Sequence, residues 1–183
     1  MKSMFRVLLV AAAIALTGCA ASVNRPDGGV GTMTLTPRAA QKIVLTVQGI
    51  PQASASSDWE TLRAQWRESM GVAARAAGLG FSYVDSGLPG GQDAATHVKV
   101  IVSDYRYVSA GARFGLGVFT GNAFVVAQTE FLELPGHKLI GTRAYDTTSS
   151  AWQGVFAPMT GKQIDAICTE IVKEVAQSRV AGR

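Results

Sequence analysis

The chain has 183 residues, 16% of them charged and 48% hydrophobic, with a formal net charge of +4. That length suits one domain with a real core. Lys2 and Arg6 supply half of the net charge, so the rest of the chain carries +2 and gives nucleic-acid binding no support.

The first nineteen residues read MKSMFRVLLVAAAIALTGC. Two cations, an apolar stretch over 7–16 and small residues follow one another, which is the layout of an export signal. The apolar stretch is half as long as the roughly 20 residues a membrane span requires, and no later segment is long enough either. Leu16-Thr17-Gly18-Cys19 resembles the lipobox of bacterial lipoproteins, with a large aliphatic residue three before the cysteine and small residues next to it. The resemblance implies a diacylglyceryl thioether on Cys19, cleavage before it, and N-acylation (a palmitate-type chain) of the new amine. Ala20, where inner-membrane members carry Asp, implies an outer-membrane location facing the periplasm. Two or more acyl chains anchor stably where one is marginal, each buried CH₂ contributing about 0.8 kcal/mol. The plainer alternative is an ordinary signal peptide with a chance cysteine. With the Cys19 thiol consumed, Cys168 has no intramolecular partner, although the envelope permits disulfides. It is read as a buried apolar residue rather than a reactive thiol.

Residues 19–40 are rich in Gly, Pro, Ser and Thr without a period, and read as the lipidated cysteine and a flexible tether. Such a coil spans roughly 25 Å on average. Residues 41–48 form the first strand, with Ile43, Leu45 and Val47 on one face. Ser57 and Glu60 read as a capping box. Trp59, Leu62, Trp66, Met70 and Ala73 then form the apolar stripe of a helix that ends at Gly78 and Gly80. Residues 81–84 are a short strand. Residues 96–108 are strongly β, with Val98, Val100 and Val102 on one face. A glycine-rich stretch, SAGARFGLGVFTGN, separates them from a hairpin over 123–147, whose turn Leu134-Pro135-Gly136-His137 reads as type II. Thr160 and Gln163 read as a second capping box. The last helix carries Ile164, Ile167, Cys168, Ile171, Val172 and Val175 on one stripe.

The predicted fold is therefore α/β in the α+β sense. A mainly antiparallel twisted sheet of four or five strands has two amphipathic helices on one face. Residues 1–18 are the signal peptide, 19–40 the anchor and tether, 41–177 one globular domain, and 178–183 a frayed tail.

Candidate chemistry is sparse. Gly115 and Gly117 suggest a dinucleotide loop, but the next Gly is misplaced and a strand follows where a helix is required. Gly111, Gly115, Gly117 and Gly121 read instead as a flexible or bulged connection. His97 and His137 have no second ligand at short spacing, so no metal and no cofactor is expected. No hydroxyl is marked as activated. Asp85, Asp93, Asp104 and Asp146 have no spacing that says which converge. Tyr105, Tyr107, Phe114, Phe119, Trp152 and Phe156 flank the glycine loop and the loop before the last helix. Most suit the core, whereas Arg113, Phe114, Trp152 and Phe156 are candidate partner contacts.

With those elements placed, YRYVSAGARFGLGVFTGNAFVVAQTEFLEL, followed by a turn, GTRAYDTTSSAWQGVFAPMTGKQ and a helix, resembles the DUF4410-type bacterial lipoproteins. That resemblance implies no activity and no catalytic residues. The element order is also similar to the α/β domain of curli-secretion lipoproteins, of outer-membrane activators of peptidoglycan synthases, and of the Tol N-terminal domain, as analogy of fold alone. The expected function is a non-enzymatic envelope lipoprotein, anchored in the bilayer through acylated Cys19 and binding another envelope component, most naturally a protein. Two alternatives stay open: a small-ligand binder or enzyme using the glycine loop, and a subunit of an oligomeric secretion or assembly complex.

Overall fold

The computed structural model describes residues 23–26, 32–107, 123–148 and 159–178. Strand β1 is Val23–Asn24, and a 3-10 turn covers Ala39–Gln41. Strand β2 (Lys42–Gly49) leads into a short helix α1 (Pro51–Ser54), the long helix α2 (Trp59–Ala76) and strand β3 (Gly80–Tyr83). Strands β4 (Ala95–Arg106), β5 (Phe124–Leu134) and β6 (Lys138–Thr148) follow, and helix α3 (Met159–Gln177) closes the chain. The six strands form one sheet in the order β1-β6-β5-β4-β2-β3.

The α+β class and the five predicted strands are present, but the sheet has a sixth strand and is mixed. β2 pairs in parallel with both β3 and β4, while β4–β5, β5–β6 and β1–β6 are antiparallel. The cause lies in the connections. Helices α1 and α2 carry the chain from the end of β2 back to its start, and only a parallel return satisfies such a crossover. Residues 84–94 return it a second time, so β4 also runs parallel to β2.

The apolar stripes fall where their spacing places them. Leu62, Trp66 and Met70 of α2 and Ile164, Ile167, Cys168 and Ile171 of α3 are fully buried. They meet Ile43, Leu45, Val98, Val100, Val102, Val125, Phe131 and Tyr145 from one face of the sheet in a single core. Each large side chain removed from water contributes about 1.5–3 kcal/mol. On the opposite face a smaller cluster of Val44, Ala95 and Leu134 forms, with Val84 against it.

The domain starts before residue 41. Val23 and Asn24 of the expected tether pair with Thr147 and Asp146 of β6. Met33, Leu35, Ala39 and Ala40 join the main core. A two-residue strand and isolated apolar residues leave no period to read. At the other end, Ser178 is buried rather than frayed. Its carbonyl accepts from the Leu35 N–H at 3.4 Å, and its hydroxyl donates to the Glu174 carbonyl at 2.7 Å.

Three local expectations also change. Helix α2 starts after Asp58 without a side-chain cap, and Glu60 pairs instead with Arg63 at 3.1 Å. Thr160 lies within α3, where its hydroxyl and the Gln163 amide serve the sheet rather than a cap. In the β5–β6 turn the Leu134–Pro135 peptide is cis and His137, not Gly136, has positive φ (50°). A type II turn requires positive φ one position earlier.

Candidate functional site

The residues singled out from sequence, Leu16, Thr17, Gly18, Cys19, Arg113, Phe114, Trp152 and Phe156, all lie outside the described residues. What the structure does define is the end of the domain at which the described residues flanking them lie. Arg106 at the end of β4 lies opposite Phe124 at the start of β5, and Phe124 lies opposite Thr148 at the end of β6. Antiparallel β1 begins beside Thr147, at this same end. Helix α3 starts here too, because Thr160 Oγ1 donates to the Arg106 carbonyl at 3.3 Å and Gln163 Nε2 donates to the Ala123 carbonyl at 2.9 Å. The connections 107–123 and 148–159 therefore both leave and rejoin the domain at the end where the N-terminal segment arrives.

The N-terminal arm is fastened by charge. Arg25 donates to Glu170 and pairs with Glu174 at 2.8 Å. Glu174 also accepts from Arg143 Nε at 2.8 Å and from the Tyr145 hydroxyl at 3.4 Å. The Arg25 guanidinium lies over the Tyr145 ring, 5.8 Å from its centroid. Arg143 is 5% exposed, so its charge depends on this neutralisation. Burial, together with the Glu174 charge, pushes the Tyr145 hydroxyl well above its usual range. Beside the network is a cleft of about 210 Å³ lined by Arg25, Thr32, Met33, Arg143, Glu174 and Ser178. Two arginines face two glutamates, so an anion entering the cleft has to break existing ion pairs.

A second cluster sits on the α2–β3 surface. Arg63 joins Glu60, the Tyr83 hydroxyl and Asp85, and Arg67 lies over the Tyr83 ring at 5.7 Å. Glu60 and Asp85 are largely exposed, which marks a solvated ion-pair surface worth little individually.

The third feature is on the sheet face opposite the helices, and periodicity did not reveal it. His97 on β4 and His137 in the β5–β6 turn come together with ring centroids 6.4 Å apart. His97 is 1% exposed and hydrogen-bonds through Nε2 to Thr46 Oγ1 at 2.9 Å. Burial foremost, and then the neighbouring His137 and Lys99 charges, lower its pKa to about 4.

Cys168 is buried and unbonded, as its place on the stripe predicts. Burial, reinforced by Asp165, raises its thiol well above the usual range, the reverse of what a nucleophile requires. Among the described residues no three His, Cys, Asp or Glu side chains converge as a metal cage. No helix among them is long and apolar enough to cross a membrane.

No protein-family model matches the chain, and no curated protein matches it. Among solved structures, it is similar to a PelC dodecamer from Paraburkholderia phytofirmans, at 10% identity and a TM-score of 0.48 over 81% of this chain and 95% of that one. It is also similar to a Xanthomonas campestris protein of the family DUF330, at 12% identity and a TM-score of 0.47 over 80% of this chain and 93% of that one. A neuraminyllactose-binding hemagglutinin homolog from Helicobacter pylori is similar at 12% identity and a TM-score of 0.37, over 80% of this chain and 91% of that one.

Proposed function

We propose that this chain is a lipoprotein of the bacterial cell envelope, of the DUF4410 type, whose non-enzymatic domain binds another envelope component close to the membrane. The observation that carries this reading is the position of β1. Val23 is already part of the sheet, four residues after the lipobox cysteine Cys19. Four extended residues span at most about 14 Å. An acylated Cys19 then holds the domain against the bilayer surface instead of on a long leash. The described residues that flank the segments carrying Arg113, Phe114, Trp152 and Phe156 lie at this same end, which supports those four residues as candidate contacts for a membrane-bound partner. The internally neutralised Arg25, Arg143, Glu170 and Glu174 network supports a fastening role for that cluster rather than catalysis.

The anchor is tested by metabolic labelling with a fatty-acid analogue. Cys19→Ser abolishes labelling on this reading, and persistent labelling refutes it. A thiol count gives an independent check. The mature protein shows one titratable thiol after denaturation, Cys168, whereas an unlipidated chain shows two. For the partner, crosslinking from position 113 or 152 in intact cells recovers an envelope protein. Recovery of none counts against the binding role.

A further inference from the structure

We propose that His97 and His137 together form a binding site for one late first-row transition-metal ion, zinc or copper. The two imidazoles come from β4 and from the β5–β6 turn, 40 positions apart in sequence. Their centroids are 6.4 Å apart and their planes stand at 84°. A metal-bound imidazole nitrogen lies about 2 Å from the ion, so two rings sharing one ion have centroids about 5 Å apart at the tetrahedral angle and about 6.3 Å apart when the ion lies on the line between them. The observed spacing is that of the second, in-line arrangement, and a tetrahedral ion requires the His137 turn to close by about 1 Å.

Both rings have a nitrogen with nothing to bond. The Nδ1 atoms of His97 and of His137 are each shielded from solvent and without a hydrogen-bond partner. Buried polar atoms are normally satisfied, and the exceptions point to a missing ligand or water. At His97 the other nitrogen, Nε2, is occupied by Thr46 Oγ1. When Nε2–H donates to that hydroxyl, Nδ1 presents its lone pair. A ligating histidine is typically oriented in this way by a partner on its second nitrogen. His137 adopts φ of 50° in the β5–β6 turn, a left-handed conformation that histidine adopts more readily than most residues.

Imidazole donors suit zinc and copper rather than magnesium or calcium. Two protein ligands leave the remaining positions to water, because the Glu130 carboxylate is engaged by Lys99 at 3.1 Å. The site lies on the sheet face away from the helices and needs no residue of the anchored end, so it stands independently of the function proposed above.

The test uses the full mature lipoprotein in detergent micelles, titrated with zinc or copper(II) against a competing chromophoric chelator. The expected result is saturable 1:1 uptake. His137→Asn, which tolerates the left-handed backbone, weakens uptake by at least about tenfold, in the range that loss of a site residue produces. Circular dichroism and the thermal midpoint without metal show whether that variant keeps the fold. Cys168→Ala binds like the unaltered protein. His97→Gln serves as a second variant should His137→Asn unfold. Absence of saturable uptake in the unaltered protein, or equal affinity in a folded His137→Asn variant, overturns the proposal.

Discussion

Val23 pairs with Thr147 across the outer edge of β6, and this pairing decides where the folded domain begins. Val23 and Asn24, expected from the sequence to be tether, are sheet, and Met33, Leu35, Ala39 and Ala40 after them are core.

Truncation of the arm therefore costs stability. Leu35 is 2% exposed and packs in the main core. Leu35→Ala is expected to destabilise the domain by about 2–5 kcal/mol, as other buried leucines do. Urea unfolding followed by tryptophan fluorescence measures it. A midpoint unchanged from the unaltered protein returns this segment to the status of a tether.

Glu174 is the hub of the charged network, accepting from Arg25, Arg143 and Tyr145. Glu174→Ala removes the carboxylate that pairs with Arg143 at 2.8 Å and with Arg25 at 2.8 Å and is expected to destabilise the domain by about 2–4 kcal/mol. Arg25→Ala, which removes a more exposed partner, costs less. Denaturant midpoints of the two variants should rank in that order, and the reverse ranking rejects Glu174 as the hub.

Acid sensitivity follows from His97. Its folded pKa lies at about 4, below the 6.5 of an unperturbed histidine, chiefly through burial. Between these values the unfolded chain binds a proton that the folded chain does not. Stability is thus fully present above about pH 6.5 and is lost progressively as pH falls towards 4, by up to about 3 kcal/mol. His97→Gln keeps a polar partner for Thr46 but does not titrate. The stability difference between unaltered protein and variant, measured from pH 7 to 4.5, should change in this window. A constant difference contradicts the assignment.

Much of this fold is legible in the chain, because its strongest signals are periodic. The stripes of α2 and α3, the alternation of β4 and the turn between β5 and β6 place the core residues and the hairpin. The parallel pairing of β2 was also implied, since a strand–helix–strand order demands a crossover, but counting apolar faces alone favours antiparallel neighbours. β1 was not legible, because two residues carry no period and their partner lies more than 120 positions away. The His97–His137 approach depends on strand register and on one turn, and neither is visible as a spacing of ligands. The Thr160 and Gln163 pattern matched a capping box, yet tertiary partners at Arg106 and Ala123 claim those side chains.

The central claim is that the domain lies against the membrane by the end that holds β1. Cys168 is buried and Cys19 is expected to be acylated, so an introduced cysteine is the only thiol open to a fluorophore. Asn24 and Lys138 are both exposed and sit at opposite ends of the sheet. Asn24 lies opposite Asp146, so at about 3.4 Å per residue the run of β6 from Lys138 to Asp146 separates the two positions by roughly 27 Å. Asn24→Cys and Lys138→Cys, labelled in the mature lipoprotein reconstituted in vesicles, are compared for quenching by a headgroup-attached quencher. Strong quenching at position 24 with little at position 138 is the predicted result. Equal quenching at the two positions, or none at either, contradicts it.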